Sequence, residues 1–237
     1  YEIASCLVGS EMCIRDRAMT VVVSIILVYT SLNICGNLVL YFFRFDVGNE
    51  GAYSIFAAVA FAAQVLVMMV IPLLRKRFSK SRLFISGFII QIAGFAVILI
   101  MAFAKLYTPQ SWYILCLPGI LIYLGYGMLN VIMTIFLSDS VDYGEVMNGT
   151  REESVIFSMQ TFTVKLASGV AVFLAGLVVD WIHLDTAAAV QTQDTLNALR
   201  MWMTIPSVIL LIVGIFVFKR FYKLDDTRME EIKSKLN

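Results

Sequence analysis

A stripe of polar side chains crosses an otherwise apolar stretch in the second half of the chain. Its members recur at intervals of three or four residues, the spacing that keeps side chains on one face of an α-helix: Ser154, Ser158, Thr161, Lys165 and Ser168. With the neighbouring Gln160, this face can donate and accept hydrogen bonds. It lacks the nucleophile paired with a base, or the metal cluster, that an enzyme would need. The pattern therefore predicts a polar face on an otherwise apolar helix, and we do not expect an enzyme.

Lys165 is the residue of this stripe that is most costly to place in a membrane. At a rise of 1.5 Å per residue it lies roughly 16 Å along the helix from Ser154. An ammonium group at the middle of a bilayer costs about 2.5 to 3.5 kcal/mol on insertion scales, and no Asp or Glu lies at comparable depth in the apolar stretches. One alternative is a fixed carboxylate partner that serves packing alone. Otherwise the partner of Lys165 is a substrate, an ion, water or another polypeptide segment.

The composition predicts that the stripe lies in lipid. Of the 237 residues, 60% are hydrophobic and 15% are charged, and the mean hydropathy is +0.85. A hydrocarbon core of about 30 Å needs about 20 apolar residues per helix. The chain contains six such runs, at residues 18–43, 52–74, 83–103, 112–137, 155–181 and 201–218. We therefore expect an all-α integral membrane protein with six transmembrane helices and no soluble catalytic domain.

Basic residues are segregated along the chain, although the net charge is only +1. Lys and Arg in short loops are retained on the cytoplasmic side of a membrane. They concentrate in the second connection, which reads RKRFSKSR, and in the tail after the sixth run. Both termini are therefore predicted to be cytoplasmic. The four cysteines and the single histidine show no metal-ligand spacing, so no metal site and no cofactor are predicted.

The two ends of the chain differ from the apolar runs. Residues 1–17, YEIASCLVGSEMCIRDR, do not have the order of regions found in a signal peptide and look like a translated sequencing adapter. We expect this segment to be non-native or disordered, with a genuine cytoplasmic arm as the alternative. Residues 18–220 are assigned to the six-helix domain, and residues 221–237 to a cytoplasmic tail with a short helix.

Three asparagines lie within the apolar runs. Asn33 and Asn37 fall in the first run, and Asn130 follows Gly125 and Gly127 in the fourth. An unpaired polar group in lipid costs several kcal/mol, so these side chains must face protein or water. They are candidates either for hydrogen bonds between helices or for the wall of a binding cavity, and the sequence leaves both open.

The connection between the fourth and fifth runs reads LSDSVDYGEVMNGTREES and continues into IFSMQTFTVKLASG. This stretch resembles the C-terminal half of the glycoside-pentoside-hexuronide:cation symporters, the melibiose permease group of the major facilitator superfamily. The segments YFFRFDVGNE, RKRFSKSR and FYKLDDTRMEEIKSKL add to the resemblance, which covers about residues 18 to 237.

The resemblance implies that the complete protein has two six-helix halves, with a sugar and a coupling cation, Na⁺ or H⁺, bound between them. It implies that Gln160, Thr161 and Lys165 line or border the sugar site, with Lys165 linking it to a cation site in a missing N-terminal half. Asn130 stands where the melibiose permease has an aromatic residue. Asn33 and Asn37 are further candidates for substrate binding.

Charged residues near the end of the fourth run are candidates for a gate: Asp139, Asp142, Glu145 and Arg151. Near the cytoplasmic face they could form ion pairs with the basic connections in one state of the transport cycle and release them in another. The alternative is a solvated acidic helix end, because exposed ion pairs contribute only about 0 to 1 kcal/mol.

These patterns favour a fragment of a secondary active transporter that moves a glycoside or sugar with a cation by alternating access. The expected partners are the sugar, the lipid bilayer and the N-terminal half, with no nucleic acid, and the expected location is a bacterial inner membrane. The alternative within transport is a carrier of lysolipid or another amphiphile on the same fold. The alternative of another class is a non-transporting membrane scaffold.

Overall fold

The computed structural model describes residues 2–148, 153–188 and 190–221, with the side chains of helix α1 described from Thr20 onward. Six long helices follow one another along the chain: α1 (Glu2–Tyr41), α2 (Ala52–Leu74), α3 (Lys80–Phe103), α4 (Cys116–Asn148), α5 (Glu153–Trp181) and α6 (Gln193–Phe221). A π-helical turn, Phe42–Val47, extends α1, and a 3₁₀ turn, Trp112–Leu115, leads into α4. All six helices are long and apolar enough to cross a membrane. The prediction of an all-α protein with six transmembrane helices is confirmed.

The helix bounds differ from the predicted runs at ends where a charged residue limits the run. Helix α2 matches its predicted run at both ends, but α6 begins eight residues before the predicted start at 201. The reason is that Arg200 is paired inside the protein, so the helix continues through it. Helix α1 begins at Glu2 and includes most of the segment 1–17, whose assignment stays a prediction. The predicted tail, from residue 222 on, lies outside the described residues.

Helices α1 and α4 form the centre of the bundle. Helix α1 packs against α4, α5 and α6, while α4 packs against α1, α2 and α3, and α3 also contacts α6. Helices α2 and α5 lie at the margins: 28% of their most apolar stretches is buried, compared with 56% for α1 and α4. One long side of α5 is consequently open, and this side carries the polar stripe.

Glycines set the close approach of α4 to α3. A Cβ atom on Gly125 would lie only 2.6 Å from both the backbone oxygen of Gly87 and the backbone nitrogen of Gln91. A Cβ atom on Gly127 would lie 2.6 Å from Val67 on the other neighbour, α2. Because these contacts leave no room for a side chain, they fix the rotation of α4 about its axis. That rotation directs Asn130 towards α1.

Candidate functional site

One face of α1 is less buried than the rest of the helix. Tyr29, Asn33, Gly36 and Asn37 are each partly buried, whereas most residues between them are buried, as is Leu38 after them. A Cβ atom on Gly36 would meet no atom within 4 Å. This face of α1 therefore borders open space in the middle of a membrane-spanning helix.

Tyr29 and Asn130 join α1 to α4 on this open side. The Asn130 Nδ2 atom donates a hydrogen bond of 2.6 Å to the Tyr29 hydroxyl oxygen. The ring of Tyr126, one turn before Asn130 on α4, meets the Tyr29 ring edge to face, with 5.5 Å between centroids and 75° between planes. Tyr29 is thus held by two residues of α4.

Thr134 extends the connection to α5. Its hydroxyl donates to the backbone oxygen of Asn130 at 3.1 Å, and it accepts a hydrogen bond of 3.4 Å from Gln160 Nε2. Tyr29, Asn130, Thr134 and Gln160 therefore form a polar chain across three helices, which we call the polar thread. The sequence predicted Asn130 and Gln160 as site residues but missed Tyr29 and Thr134. Their signal was the helical spacing, since Tyr29 precedes Asn33 by four residues and Thr134 follows Asn130 by four.

Asn33 and Asn37 occupy the open face of α1 but bond within their own helix. The Asn33 amide donates to the Tyr29 carbonyl oxygen and the Asn37 amide to the Asn33 carbonyl oxygen, each at 2.7 Å. A carboxamide has two N–H donors and a carbonyl acceptor. Each side chain therefore retains hydrogen-bonding capacity beyond the one bond to its helix.

The stripe on α5 faces away from the bundle. Thr161 and Lys165 are exposed, and the Thr161 hydroxyl donates to the Phe157 carbonyl oxygen at 3.0 Å. Among the residues that the structure describes, Lys165 forms no hydrogen bond and no ion pair. Large apolar side chains beside it are exposed as well, including Phe162, which is 67% exposed, and Leu166. This side of α5 is suited to contact with a second polar and apolar surface.

The acidic end of α4 is joined to the basic connection. Lys80, the first residue of α3, donates to Asp139 Oδ2 at 2.5 Å, and the Asp139 side chain is only 2% exposed. Asp139 is therefore not part of a solvated helix end. Asp142 and Glu145 follow on α4 and also interact with other groups, whereas Arg151 lies outside the described residues.

A second charged pair lies at the opposite end of the bundle. Arg200 on α6 donates from Nε and Nη2 to the two oxygens of Asp46, at 2.7 and 2.6 Å, and both side chains are less than 5% exposed. The Tyr107 hydroxyl donates to Asp46 Oδ2 at 2.7 Å. Burial and the adjacent Asp46 carboxylate raise the pKa of Tyr107, so the phenol stays protonated as a donor. The sequence did not predict this pair, because both charges stand near ends of apolar runs and look like ordinary boundaries.

No three His, Cys, Asp or Glu side chains come together as a metal site within the ranges that the structure describes. The expectation that the protein binds no metal stays a prediction, and so does the role of each site residue named from the sequence.

The chain matches the family model described as "MFS/sugar transport protein" over residues 4–226. It is 26% identical over 219 residues to an uncharacterized symporter of Bacillus subtilis, covering 92% of this chain and 46% of that protein. It is 28% identical over 189 residues to the isoprimeverose transporter of Lactiplantibacillus pentosus, covering 78% and 37%. It is 21% identical over 224 residues to the raffinose carrier protein of Pediococcus pentosaceus, covering 94% and 34%. The chain thus spans about a third to a half of the length of these relatives.

Proposed function

Because the chain belongs to the MFS/sugar transport protein family, we propose that it forms one half of a cation-coupled sugar symporter that works by alternating access. Its six membrane-length helices make it a multi-pass membrane protein. The family and the relatives named for an activity are transporters rather than enzymes, which confirms that expectation. Beyond membership of the family, we propose a sugar as the cargo, coupling of its movement to a cation, and a second half of the protein.

The observation that carries the proposal is the polar face at mid-membrane. The polar thread crosses from α1 to α5, and Lys165 extends the polar surface along the open side of α5. Such groups are costly in contact with lipid, so a second surface and a polar ligand are needed to cover them. The relatives are about two to three times as long as this chain, which is consistent with a second half in this role.

A sugar suits this face because its hydroxyls both donate and accept hydrogen bonds, as amide and hydroxyl side chains do. Gln160 and Thr161 would hold sugar hydroxyls, with Asn33 and Asn37 further along α1, and Asn130 would act on the site through its hydrogen bond to the Tyr29 hydroxyl. Lys165 would connect the sugar to carboxylates of the second half that bind Na⁺ or H⁺. Loss or gain of the cation would then change the pairing of Lys165, which is how the two cargoes are coupled.

The Lys80–Asp139 pair is proposed as one closure of the transport path. The basic connection that contains Lys80 is expected on the cytoplasmic side, so the pair would close the inner end of the half-domain. Asp142, Glu145 and Arg151 would take part in the same closure, in the inner membrane of a bacterium with both termini in the cytoplasm.

The proposal is tested with the complete protein in proteoliposomes. Counterflow of labelled sugars is measured beside counterflow of labelled lysolipid, each with a Na⁺ gradient, a pH gradient or neither. We expect sugar counterflow, and net sugar uptake that one of the two gradients drives. Lysolipid movement without sugar movement would show that the cargo is an amphiphile and not a sugar. Movement of neither would overturn the proposal in favour of a scaffold.

A further inference from the structure

Tyr29 is only partly buried, although the residues immediately before and after it in the sequence are buried. Val28 is fully buried and Thr30 is 6% exposed, whereas Tyr29 is partly buried and lies on the face of α1 that also carries Gly36. The empty space around Gly36 continues this face by two helical turns. An aromatic ring therefore stands at the edge of the space that the polar thread borders.

The orientation of the Tyr29 ring is set by its contacts with α4. Asn130 donates to the hydroxyl oxygen, and the Tyr126 hydroxyl is hydrogen-bonded to the Tyr29 hydroxyl as well. With its oxygen used as an acceptor, the Tyr29 hydroxyl keeps its own O–H as a donor. Tyr126 meets the ring edge to face from one side. The ring is thus held at its hydroxyl and at one side by residues of α4, while Tyr29 as a whole is only partly buried.

We infer that Tyr29 is a sugar-contacting residue, whose ring packs against the C–H face of a pyranose while its O–H donates to one sugar hydroxyl. A pyranose has a flat face of C–H groups and a rim of hydroxyls, and an aromatic ring with a polar edge matches both. Asn130 is a positioning residue that acts through the Tyr29 hydroxyl. This inference rests on the proposed function and adds the surface on which the sugar lies.

The test uses the complete protein and four variants: Tyr29→Phe, Tyr29→Leu, Asn130→Ala and the double variant Tyr29→Phe with Asn130→Ala. Tyr41→Leu is the matched control, because Tyr41 is a partly buried tyrosine on the same helix about 18 Å away. Sugar KM, maximal rate and apparent affinity for the cation are measured for each. The cation affinity reports whether a variant retains its fold.

Tyr29→Leu should raise the sugar KM by about 10-fold or more, through the loss of both ring and hydroxyl, with little change in cation affinity. Tyr29→Phe should raise it by roughly 3- to 10-fold, the effect of one neutral hydrogen bond. Asn130→Ala should raise KM in the wild-type background but add little to Tyr29→Phe, because it acts through the hydroxyl that this variant lacks. Tyr41→Leu should leave the sugar KM unchanged.

A set of monodeoxy sugars gives a second readout that does not depend on Tyr29→Leu folding. For one of these analogues, wild type and Tyr29→Phe should have the same KM, because the hydroxyl bound by Tyr29 is already absent. If no analogue removes the difference, or if Asn130→Ala and Tyr29→Phe add fully, the inference is wrong while the proposed function stands. If the wild-type protein moves no sugar, both are wrong.

Discussion

Arg200 on α6 binds Asp46, in the π-helical turn that extends α1, through two hydrogen bonds, and neither side chain is more than 4% exposed. Tyr107, from the connection between α3 and α4, donates to the same carboxylate. Three segments that are distant in sequence therefore meet at the Asp46 carboxylate. The π-helical turn that carries Asp46 is held in place by this contact, and with it the end of the helix that presents Tyr29.

Removing one member of this pair should strongly destabilise the protein. Arg200→Gln leaves a buried carboxylate without its cation, and losing one partner of a buried pair costs about 3 to 5 kcal/mol. Thermal unfolding of the complete protein in detergent would show this as a lower midpoint. Arg44→Gln is the matched control, because its pair with Glu50 is long, at 3.8 Å, and exposed, so its loss should cost about 0 to 1 kcal/mol.

The double variant Asp46→Leu with Arg200→Met separates the charge from the packing. Replacing both members by apolar residues removes the desolvation cost together with the attraction, and should recover much of the lost stability. Equal destabilisation by Arg200→Gln and Arg44→Gln would contradict a special role for the buried pair.

The raised pKa of Tyr107 predicts that the protein loses stability at alkaline pH. Its pKa is raised in the folded protein from an ordinary value of 10.0, by burial and by Asp46, so above about pH 10 the unfolded chain releases this proton while the folded protein keeps it. Stability from this group is complete below pH 10 and falls as the pH rises further. The thermal unfolding midpoint is measured from pH 8 to pH 11, about two units below to one unit above the ordinary pKa of tyrosine. Over this range the midpoint should fall less in Tyr107→Phe than in the wild type.

Tyr113→Phe is the control for that comparison, because Tyr113 follows in the same connection but is 62% exposed. It should keep the wild-type decline. Identical slopes for all three proteins would show that Tyr107 does not bind its proton more tightly in the folded state.

Gly125→Ala should disrupt the contact between α3 and α4. The new Cβ atom would lie 2.6 Å from two backbone atoms, which cannot rotate away as a side chain could. We expect the free energy of unfolding to fall by at least about 1 to 3 kcal/mol, measured by thermal denaturation. Gly176→Ala, where the new atom meets nothing within 4 Å of this half-domain, should be neutral or slightly stabilising. A large loss at Gly176 would indicate that another segment covers this part of α5.

Local patterns made part of this architecture predictable from the sequence. The six spans follow from apolar runs, and the polar face of α5 follows from intervals of three and four residues, since both depend only on near neighbours. The hydrogen bond between Tyr29 and Asn130 joins residues 101 positions apart, and that between Asp46 and Arg200 joins residues 154 apart. No local spacing reports such pairs, so the sequence places Arg200 just before the start of a membrane span, whereas its buried partner lies inside the protein.

Lys165 should be essential for coupling but not for the fold. Lys165→Ala removes the charge that we propose connects the sugar to the cation, and should abolish cation-driven uptake in proteoliposomes while the protein is still produced. Because Lys165 is exposed on this half-domain, its truncation removes no packing from the core. Lys105→Ala is the control, since Lys105 is an exposed lysine in the connection between α3 and α4. Near-normal coupled uptake by Lys165→Ala would contradict the proposed mechanism.

The Lys80–Asp139 pair should behave as a closure whose charges can be exchanged. In the wild type, Lys80 Nζ lies 2.5 Å from Asp139 Oδ2. Either single reversal, Lys80→Asp or Asp139→Lys, places two like charges at this position. Each should reduce transport by about 10-fold or more, because repulsion at this distance is worth more than 1.4 kcal/mol where Asp139 is almost fully buried. The double reversal restores opposite charges and should recover much of the transport rate, with sugar binding preserved throughout. Arg82→Asp, an exposed residue in the same turn of α3, is the control and should transport normally. A double reversal that binds sugar but transports no better than the single variants would show that this pair does not act as an exchangeable closure.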